Sequence, residues 1–357
     1  MRWLAWCTCA LLLLLAGCTA SPPRAPQPPA VTGPAASRPA ASRPPAATAP
    51  SAAARPFERG IDINAYTYPG QDIKAAAAAD AAFIKRLHAN AVSISFPFFM
   101  AGRNARGVYA SRSVTLTPGQ LALVVRVERR AGLRVSVRPV LDERNLHRSR
   151  VGWTPADLPA WFASYRHLLL PYAAAAQRAG ARQFIVGTEF TAFDTFPQWE
   201  RLDRAVRTRF HRALGCANNW SEHTDVGNCG PGVQEAVDAY KPQAPPLRAG
   251  WEAYDAALPP GTVESEVGIA AARRAYGKPW HVRWRTPAPD PRVQARWFTA
   301  ACHAAVQERM GGIYFWPLPF SAQPAVGPKG TNLGLWAGGP GARAIARCFA
   351  ELARNSS

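Results

Sequence analysis

The chain alternates short strand-like runs of β-branched and apolar residues with longer amphipathic segments of helical periodicity, starting at Gly60. In Leu133–Arg138 apolar and polar residues alternate strictly, which is the pattern of a β-strand. Pro118–Ala131 has a helical spacing of apolar residues and follows Thr117, whose hydroxyl can cap the first turn. Because consecutive parallel strands need a crossover, this alternation predicts an α/β fold with a parallel sheet.

Eight strand-like runs, most of them followed by a helical segment, can be counted along the chain. The predicted strands are Gly60–Asn64, Ala91–Phe96, Leu133–Arg138, Gln183–Glu189, a fifth that ends in Ala217–Trp220, Val233–Tyr240, Pro279–Arg285 and Gly312–Trp316. The predicted helices are Ile73–His88, Pro118–Ala131, Leu158–Ala179, Trp199–Leu214, Trp251–Tyr276, Pro291–Met310 and Pro340–Arg354. With right-handed crossovers, eight strands that alternate with helices in this way predict a closed (β/α)8 TIM barrel. An open doubly wound sheet is the alternative, but no Gly-rich phosphate loop follows the first strand.

The N-terminal segment has the pattern of a secretory signal. Met1-Arg2 is basic, Leu4–Leu15 is apolar, and Leu15-Ala-Gly-Cys18 resembles a bacterial lipobox. We therefore predict a signal peptide at residues 1–17 and lipid attachment at Cys18, which would anchor an exported protein to the bacterial cell envelope. Thr19 in place of Asp favours the outer membrane of a Gram-negative cell. The alternative is an ordinary signal peptide with an incidental cysteine.

Residues 18–54 consist almost entirely of Ala, Pro, Ser, Thr and Arg. Such a composition cannot bury enough apolar surface to offset the ordering entropy, so we predict a disordered linker. The barrel domain then comprises residues 55–357, a length typical of this fold.

The formal net charge is +19. A basic exported protein is attracted to anionic lipid headgroups or acidic glycans, although joint enrichment in Arg, Ala and Pro also fits plain compositional bias. We expect no nucleic-acid partner, because no helix-turn-helix or zinc-finger signature is present.

Four cysteines remain after Cys7, Cys9 and Cys18 are assigned to the N-terminal segment. In an oxidising compartment they predict two disulfides, Cys216–Cys229 and Cys302–Cys348. No cysteine pair has metal-ligand spacing and the seven histidines form no cluster, so we expect neither a metal nor another cofactor.

Barrel enzymes carry their chemistry at the carboxyl ends of the strands. The predicted strand ends hold aromatic, amide and charged residues: Asn64, Tyr66, Tyr68, Phe98, Asp142, Glu143, Glu189, Asn219, Trp220, Asp238, Tyr240, Arg283, Trp284, Arg285 and Trp316. Aromatic rings beside hydrogen-bonding groups suit sugars, whose C–H faces stack on rings while their hydroxyls bind polar groups. The alternative for some of these rings is a place in the barrel core.

Several motifs together resemble glycoside hydrolase family 113. They are Arg59-Gly-Ile-Asp-Ile-Asn-Ala-Tyr66, Ala163-Ser-Tyr165, Val186-Gly-Thr-Glu-Phe190, Cys216-Ala-Asn-Asn-Trp220, Val237-Asp-Ala-Tyr240, Tyr276-Gly-Lys-Pro279 and Gly312-Ile-Tyr-Phe-Trp316. The resemblance implies a retaining β-glycanase, such as an endo-β-mannanase, on a (β/α)8 barrel. It also implies that Glu189 is the acid/base, and that Asn219, Trp220, Asp238 and Tyr240 line the sugar site. A carboxylate that merely pairs with an arginine is the alternative for Glu189.

The predicted seventh strand departs from the family pattern. The family places its nucleophile in a Thr-Glu-Ile-Gly stretch, but Pro279–Arg285 contains no carboxylate in any register. Trp284 falls at the expected place, with Arg283 and Arg285 on either side, and the next carboxylate is Asp290. We therefore expect the usual nucleophile to be absent.

Three functions are compatible with these observations. The first is binding of a polysaccharide without cleavage, with the strand-seven arginines recognising anionic groups. The second is an active glycosidase in which Glu189 works with a relocated second carboxylate. The candidates for that carboxylate are Asp238, Asp142, Glu143, Asp62 and Asp290. The third is an envelope scaffold that uses the barrel for protein contacts.

Overall fold

The computed structural model describes residues 56–222, 230, 232–281, 289–321 and 333–354. Eight parallel strands close into a barrel, because β1 (Glu58–Asn64) pairs with both its neighbour β2 (Ala91–Met100) and the last strand, β9 (Gly312–Pro319). Between them lie β4 (Arg134–Leu141), β5 (Gln183–Thr188), β6 (Ala213–Asn219), β7 (Gln234–Asp238) and β8 (Val263–Val267). A short β3 (Val108–Tyr109) pairs antiparallel with the end of β2. The predicted (β/α)8 TIM barrel is confirmed.

The helices surround the barrel. They are α1 (Ile73–Arg86), α2 (Pro118–Arg130), α3 (Leu158–Ala179), α4 (Gln198–Arg207), α5 (Leu247–Asp255), α6 (Pro291–Gln307) and α7 (Pro340–Arg354). Short 3-10 turns occur at Arg150–Gly152, Thr191–Phe193, Trp220–Glu222, Ala275–Gly277 and Leu333–Gly338. Across the described residues, none of these helices combines the length and apolar character needed to cross a membrane.

The start of α2 follows directly from the local sequence. Thr117 accepts a hydrogen bond from the Gln120 backbone N–H, and the Gln120 side chain accepts one from the Thr117 backbone N–H. This reciprocal pair is a capping box, and Pro118 supplies the preset first helical residue. The predicted cap at Thr117 is confirmed.

An aromatic cluster supports the turn that follows β5. The ring of Phe190 lies 5.5 Å from that of Trp161 on α3 and 5.5 Å from that of Trp199 on α4. Tyr165 stacks on Trp161 and donates a hydrogen bond to the Val186 carbonyl of β5. Glu189, the residue before Phe190, is therefore attached to a rigid, buried cluster of rings.

The segment between α5 and α6 differs from the sequence prediction. The expected helix Trp251–Tyr276 is wrong, because α5 ends at Asp255 and the seventh barrel strand, β8, follows. The expected strand Pro279–Arg285 is also wrong: residues 279–281 lie in a turn and coil, while residues 282–288 are outside the described part of the chain. Glu264 and Glu266 interrupt the apolar pattern of β8, and for this reason the sequence pattern did not predict the strand.

The boundary between the fourth helix and the fifth barrel strand also moved. The helix predicted for Trp199–Leu214 ends at Arg207, because Ala213 already begins β6.

The predicted disulfide Cys302–Cys348 is confirmed and joins α6 to α7. Cys229 lies outside the described residues, so the pairing Cys216–Cys229 stays a prediction.

Candidate active site

Glu189 follows directly on β5, the fourth barrel strand, with a backbone φ of 54°. A positive φ is unfavourable for a residue with a Cβ, and such strain is commonly found at functional sites. The side chain is 9% exposed. Its Oε1 accepts a hydrogen bond from Asn219 Nδ2 at 2.9 Å, and its Oε2 contacts Arg150 Nη2 at 2.5 Å. The predicted neighbours Glu189 and Asn219 thus meet, and the arginine pairing foreseen as an alternative is also present.

Glu266 on β8, the seventh barrel strand, is the second carboxylate of the site. Arg138 Nη2 lies 2.9 Å from its Oε1, and the Tyr240 hydroxyl donates to its Oε2 at 2.8 Å. Burial raises the pKa of Glu266 to about 7, the charge of Arg138 lowers it, and the charges of Asp62 and Glu189 raise it. Glu189 is therefore near enough for its charge to act on Glu266.

Arg138 on β4 is the centre of a buried ion network. Its Nη1 lies 3.5 Å from Asp62 Oδ2, and its Nη2 lies 2.5 Å from Asp238 Oδ2 in addition to contacting Glu266. Burial acts to lower the pKa of the guanidinium, but the carboxylates of Asp238, Glu266 and Asp62 together raise it above the ordinary value. A guanidinium does not lose its proton in a protein, so this network always contains one fixed positive charge.

Asp238, predicted as a possible second carboxylate, is fully buried at the end of β7. Arg138 binds its Oδ2, and the Ser265 hydroxyl donates to its Oδ1 at 2.8 Å. Burial raises the pKa of Asp238 well above its usual range, against the opposing effect of Arg138. Both oxygens of Asp238 therefore bind protein groups. One of these groups, Arg138, also binds Glu266.

Tyr240 and Trp316 meet beside Glu266. Their rings are perpendicular, with centroids 6.4 Å apart. A Cβ at Gly268 would lie 2.8 Å from the Trp316 carbonyl oxygen and 3.1 Å from the Tyr240 hydroxyl, so this close approach requires glycine. Burial and the charge of Glu266 raise the pKa of Tyr240 above its ordinary value, which keeps the phenol as a hydrogen-bond donor.

Three further predicted residues lie at the same end of the barrel: Tyr66, which follows β1, and Asp142 and Glu143, which follow β4. The Tyr66 hydroxyl donates to Asp142 Oδ2 at 2.6 Å, and Asp142 also binds Arg144. Glu143 accepts hydrogen bonds from the Ser149 hydroxyl and from the Arg150 backbone. These contacts orient the loop so that the Arg150 side chain, 14% exposed, reaches Glu189.

A pair of stacked indoles lies at the strand ends. Trp220, which follows β6, and Trp280 have ring centroids 5.5 Å apart and planes inclined by 16°. Trp280 is 45% exposed. Trp220 was predicted as a sugar-binding residue, whereas Trp280 was assigned to a strand and its role as an exposed ring was missed.

The prediction that the seventh strand has no carboxylate is wrong. The strand is Val263–Val267, and Ser265-Glu266-Val267-Gly268 parallels the Thr-Glu-Ile-Gly stretch of the family. This motif precedes Lys278-Pro279 instead of following it, and it was the signal in the sequence that could have found Glu266. Arg283, Trp284 and Arg285 lie outside the described residues. Asp290 caps α6 and pairs with Arg273.

Arg138 and Arg150 were also missed as site residues. Arg138 was placed on a predicted strand, and a charged residue on an otherwise alternating strand is the signal it offered. Nothing in the sequence around Arg150 distinguishes it from the many other arginines. In the part of the chain that the structure describes, no group of three acidic, histidine or cysteine side chains is arranged to hold a metal ion.

Two carboxylates on the fourth and seventh strands of a (β/α)8 barrel, close enough to interact, are the arrangement expected of a glycoside hydrolase. The sequence comparison agrees: the chain belongs to glycoside hydrolase family 113, whose pattern matches residues 66–329. A comparison with the curated proteins gives no match.

Solved structures of the same family share the fold. The β-mannanase AaManA of Alicyclobacillus acidocaldarius, in complex with ManMIm, is 23% identical with a TM-score of 0.69, covering 83% of this chain and 98% of that one. A family 113 β-1,4-mannanase is 17% identical with a TM-score of 0.70, covering 83% and 99%. A mutant of the family 5 mannosidase of Rhizomucor miehei, in complex with mannosyl-fructose, is 11% identical with a TM-score of 0.52, covering 84% and 94%. At these identities the similarity establishes the shared fold.

Proposed function

We propose that the protein is a retaining glycosidase that cleaves a β-linked polysaccharide of the mannan class, with Glu266 as nucleophile and Glu189 as acid/base. The observation on which this rests is the setting of Glu266. Arg138 and Tyr240 each contact one of its carboxylate oxygens, at 2.9 Å and 2.8 Å. Two donors of this kind stabilise the ionised form and fix its orientation, as a nucleophile requires.

The reaction then follows the double displacement of retaining enzymes. Glu266 attacks the anomeric carbon while Glu189 donates its proton to the departing glycosidic oxygen. In the second step Glu189 accepts a proton from water, which attacks the same carbon and releases Glu266. The fixed charge of Arg138 balances the Glu266 carboxylate when it is freed at the end of the cycle.

Arg150 affects the first step, because its ion pair with Glu189 must break when Glu189 carries a proton. It contacts Glu189 Oε2 at 2.5 Å, and Asn219 already donates to Oε1, so both oxygens are held as acceptors. A protonated Glu189 cannot keep this ion pair. Arg150 Nη1 also lies 3.7 Å from Glu143 Oε1, and we infer that Glu143 retains the guanidinium when Glu189 takes up its proton.

The substrate class is inferred from the relatives and from the aromatic rings. Both family 113 structures named above are described as β-mannanases. Trp220, Trp280 and Trp316 offer flat apolar surfaces near the strand ends, which suit the C–H faces of pyranose rings. The net charge of +19 additionally favours glycans that carry acidic groups, so neutral and acidic mannans belong in the same assay.

The proposal is tested by product release from a panel of polysaccharides, analysed by mass spectrometry. The panel contains linear mannan, glucomannan, galactomannan, xylan, mixed β-glucan and an acidic polysaccharide. We expect wild type to cleave a mannan, Glu266→Gln and Glu189→Gln to lose at least about 10³-fold in rate, and Glu351→Gln, an exposed control on α7, to remain unchanged. Retention at the anomeric carbon is read by NMR. Cleavage that survives Glu266→Gln, or an inverted product, would contradict the assignment.

We also propose that the protein is exported and anchored to the cell envelope through a lipid on Cys18. The Leu15-Ala-Gly-Cys18 motif and the preceding apolar run support this placement. In cells fed an alkyne fatty acid, wild type should become labelled and Cys18→Ser should not. Equal labelling of both would contradict the anchor.

A further inference from the structure

A cavity of about 910 Å³ opens at the end of the barrel opposite Glu189. The first residues of six strands line it: Glu58, Arg134, Gln183, Ala213, Gln234 and Val263. It is therefore the amino-terminal mouth of the barrel. Its size is that of a pocket for a small molecule or a headgroup.

The walls of this basal cavity are strongly cationic. Five arginines surround it, namely Arg129, Arg134, Arg182, Arg212 and Arg309, against two glutamates, Glu58 and Glu235. Arg138 forms part of the lining as well, but its charge is balanced by Asp62, Asp238 and Glu266. The cavity thus has an excess of positive charge within walls of low dielectric, which concentrates anions.

Two of these arginines are fixed by the end of α3. Arg129 Nη1 donates to the Ala179 carbonyl at 3.1 Å, and Arg212 Nη1 donates to the Gly180 and Ala181 carbonyls at 2.8 Å and 3.0 Å. Gly180, with φ of 84°, leaves the space that the Arg129 guanidinium occupies. Each guanidinium has five N–H donors, so both retain donors for a ligand.

Arg182 and Arg309 differ from this pair, because their side chains make no hydrogen bond or ion pair with any other residue that the structure describes. Both are exposed at the rim of the cavity. An arginine without an acidic partner beside a cavity rich in arginines is a ready donor fork for an oxyanion.

We propose that the basal cavity is a binding site for a phosphate-bearing anion. Planar guanidinium forks match the geometry of phosphate oxygens, and several arginines line this one cavity. The phosphate can belong to a soluble molecule or to a lipid headgroup. Glu58, the first residue of β1, lies in the lining of this mouth.

The test uses the full-length chain with Cys18→Ser, so that no lipid anchor contributes. Binding of inorganic phosphate and pyrophosphate is measured by calorimetry, and binding to phosphatidylglycerol or phosphatidylcholine vesicles by flotation. The double variant Arg182→Ala/Arg309→Ala removes the two unpartnered rim arginines. The matched control, Arg292→Ala/Arg343→Ala, removes two exposed arginines from the first turns of α6 and α7 at the opposite end.

We expect saturable binding of pyrophosphate or of phosphatidylglycerol vesicles, weakened at least about tenfold by the rim variant and unchanged by the control. Pyrophosphate binding without vesicle binding identifies a soluble ligand, and vesicle binding that pyrophosphate displaces identifies a lipid headgroup. Equal weakening in both variants, or no binding to any probe, overturns the proposal. Glycan cleavage plays no part in these measurements, so the result is independent of the proposed activity.

Discussion

Arg138 Nη2 lies between two carboxylates, 2.9 Å from Glu266 Oε1 and 2.5 Å from Asp238 Oδ2. The two acids belong to neighbouring strands, β8 and β7, and the arginine comes from β4 across the barrel. The charge of this one buried cation therefore favours the ionised form of both the proposed nucleophile, Glu266, and its neighbour Asp238.

Replacing this cation should leave several buried acids without a counter-charge. We expect Arg138→Met to lose activity and about 3–5 kcal/mol of stability at neutral pH. The loss should be smaller at pH 5, because Asp62, Asp238 and Glu266 then fold in the neutral form. Urea unfolding at pH 5 and pH 8 measures this, with Arg138→Lys as the control that retains the charge. Equal losses at both pH values would contradict the network.

The pH dependence of catalysis should have its acid limb near neutrality. Burial raises the pKa of Glu266 to about 7, and a nucleophile must be ionised, so kcat/KM should fall as the pH drops below about 7. Tyr240→Phe removes a donor that stabilises the carboxylate but keeps the aromatic ring. Its acid limb should move to higher pH in a pH–rate profile. An acid limb at the same pH as in wild type would show that Tyr240 does not influence the ionisation of Glu266.

Glu128 on α2 is a buried carboxyl outside the site. Burial, and secondarily the charge of Asp80, raises its pKa to about 9, and neither of its oxygens has a hydrogen-bond partner among the described residues. The pKa shift costs no stability below the pKa of the unfolded chain, and the fold loses stability progressively as the pH rises from there through about 9. Glu128→Gln should therefore raise Tm at pH 8 but not at pH 4. Scanning calorimetry at both pH values checks this, with exposed Glu351→Gln expected to change neither.

The disulfide between Cys302 and Cys348 closes a long stretch of chain, with a sequence separation of 46 residues. Removing such a link increases the entropy of the unfolded chain. We expect Cys302→Ala/Cys348→Ala to lose about 2–4 kcal/mol of unfolding free energy. Guanidinium unfolding under oxidising conditions measures the difference. Similar midpoints for wild type and variant would show that packing of α6 on α7 suffices.

The indole stack should contribute to glycan binding and little to the chemical step. Trp280→Ala removes the exposed ring that packs on Trp220, so we expect KM to rise several-fold with kcat nearly unchanged. Trp280→Phe keeps an aromatic face and should lie between wild type and the alanine variant. Steady-state kinetics on a soluble mannan distinguish these outcomes. An equal fall in kcat and kcat/KM would show instead that Trp280 stabilises the transition state.

Much of the scaffold could be predicted from local pattern. Thr117, Pro118 and Gln120 specify the start of α2 by contacts within four residues, and the alternation of strands and helices predicted the closed barrel. Glu189 and Asn219 were expected at the ends of neighbouring strands and do bind each other. These features depend on short-range geometry and on the periodicity of apolar residues, both of which are visible in a linear chain.

The seventh strand and the network around it were decided by the tertiary structure. Glu264 and Glu266 make β8 look unlike a buried strand, since an isolated buried carboxylate is unfavourable. Glu266 is accommodated because Arg138 and Tyr240, distant in sequence, meet it inside the barrel. The sequence by itself determined the barrel and one of its two proposed catalytic carboxylates. The second, Glu266, has a motif in the sequence, but its buried place in the barrel was decided by the tertiary structure, because the charge that makes its burial tolerable comes from another strand.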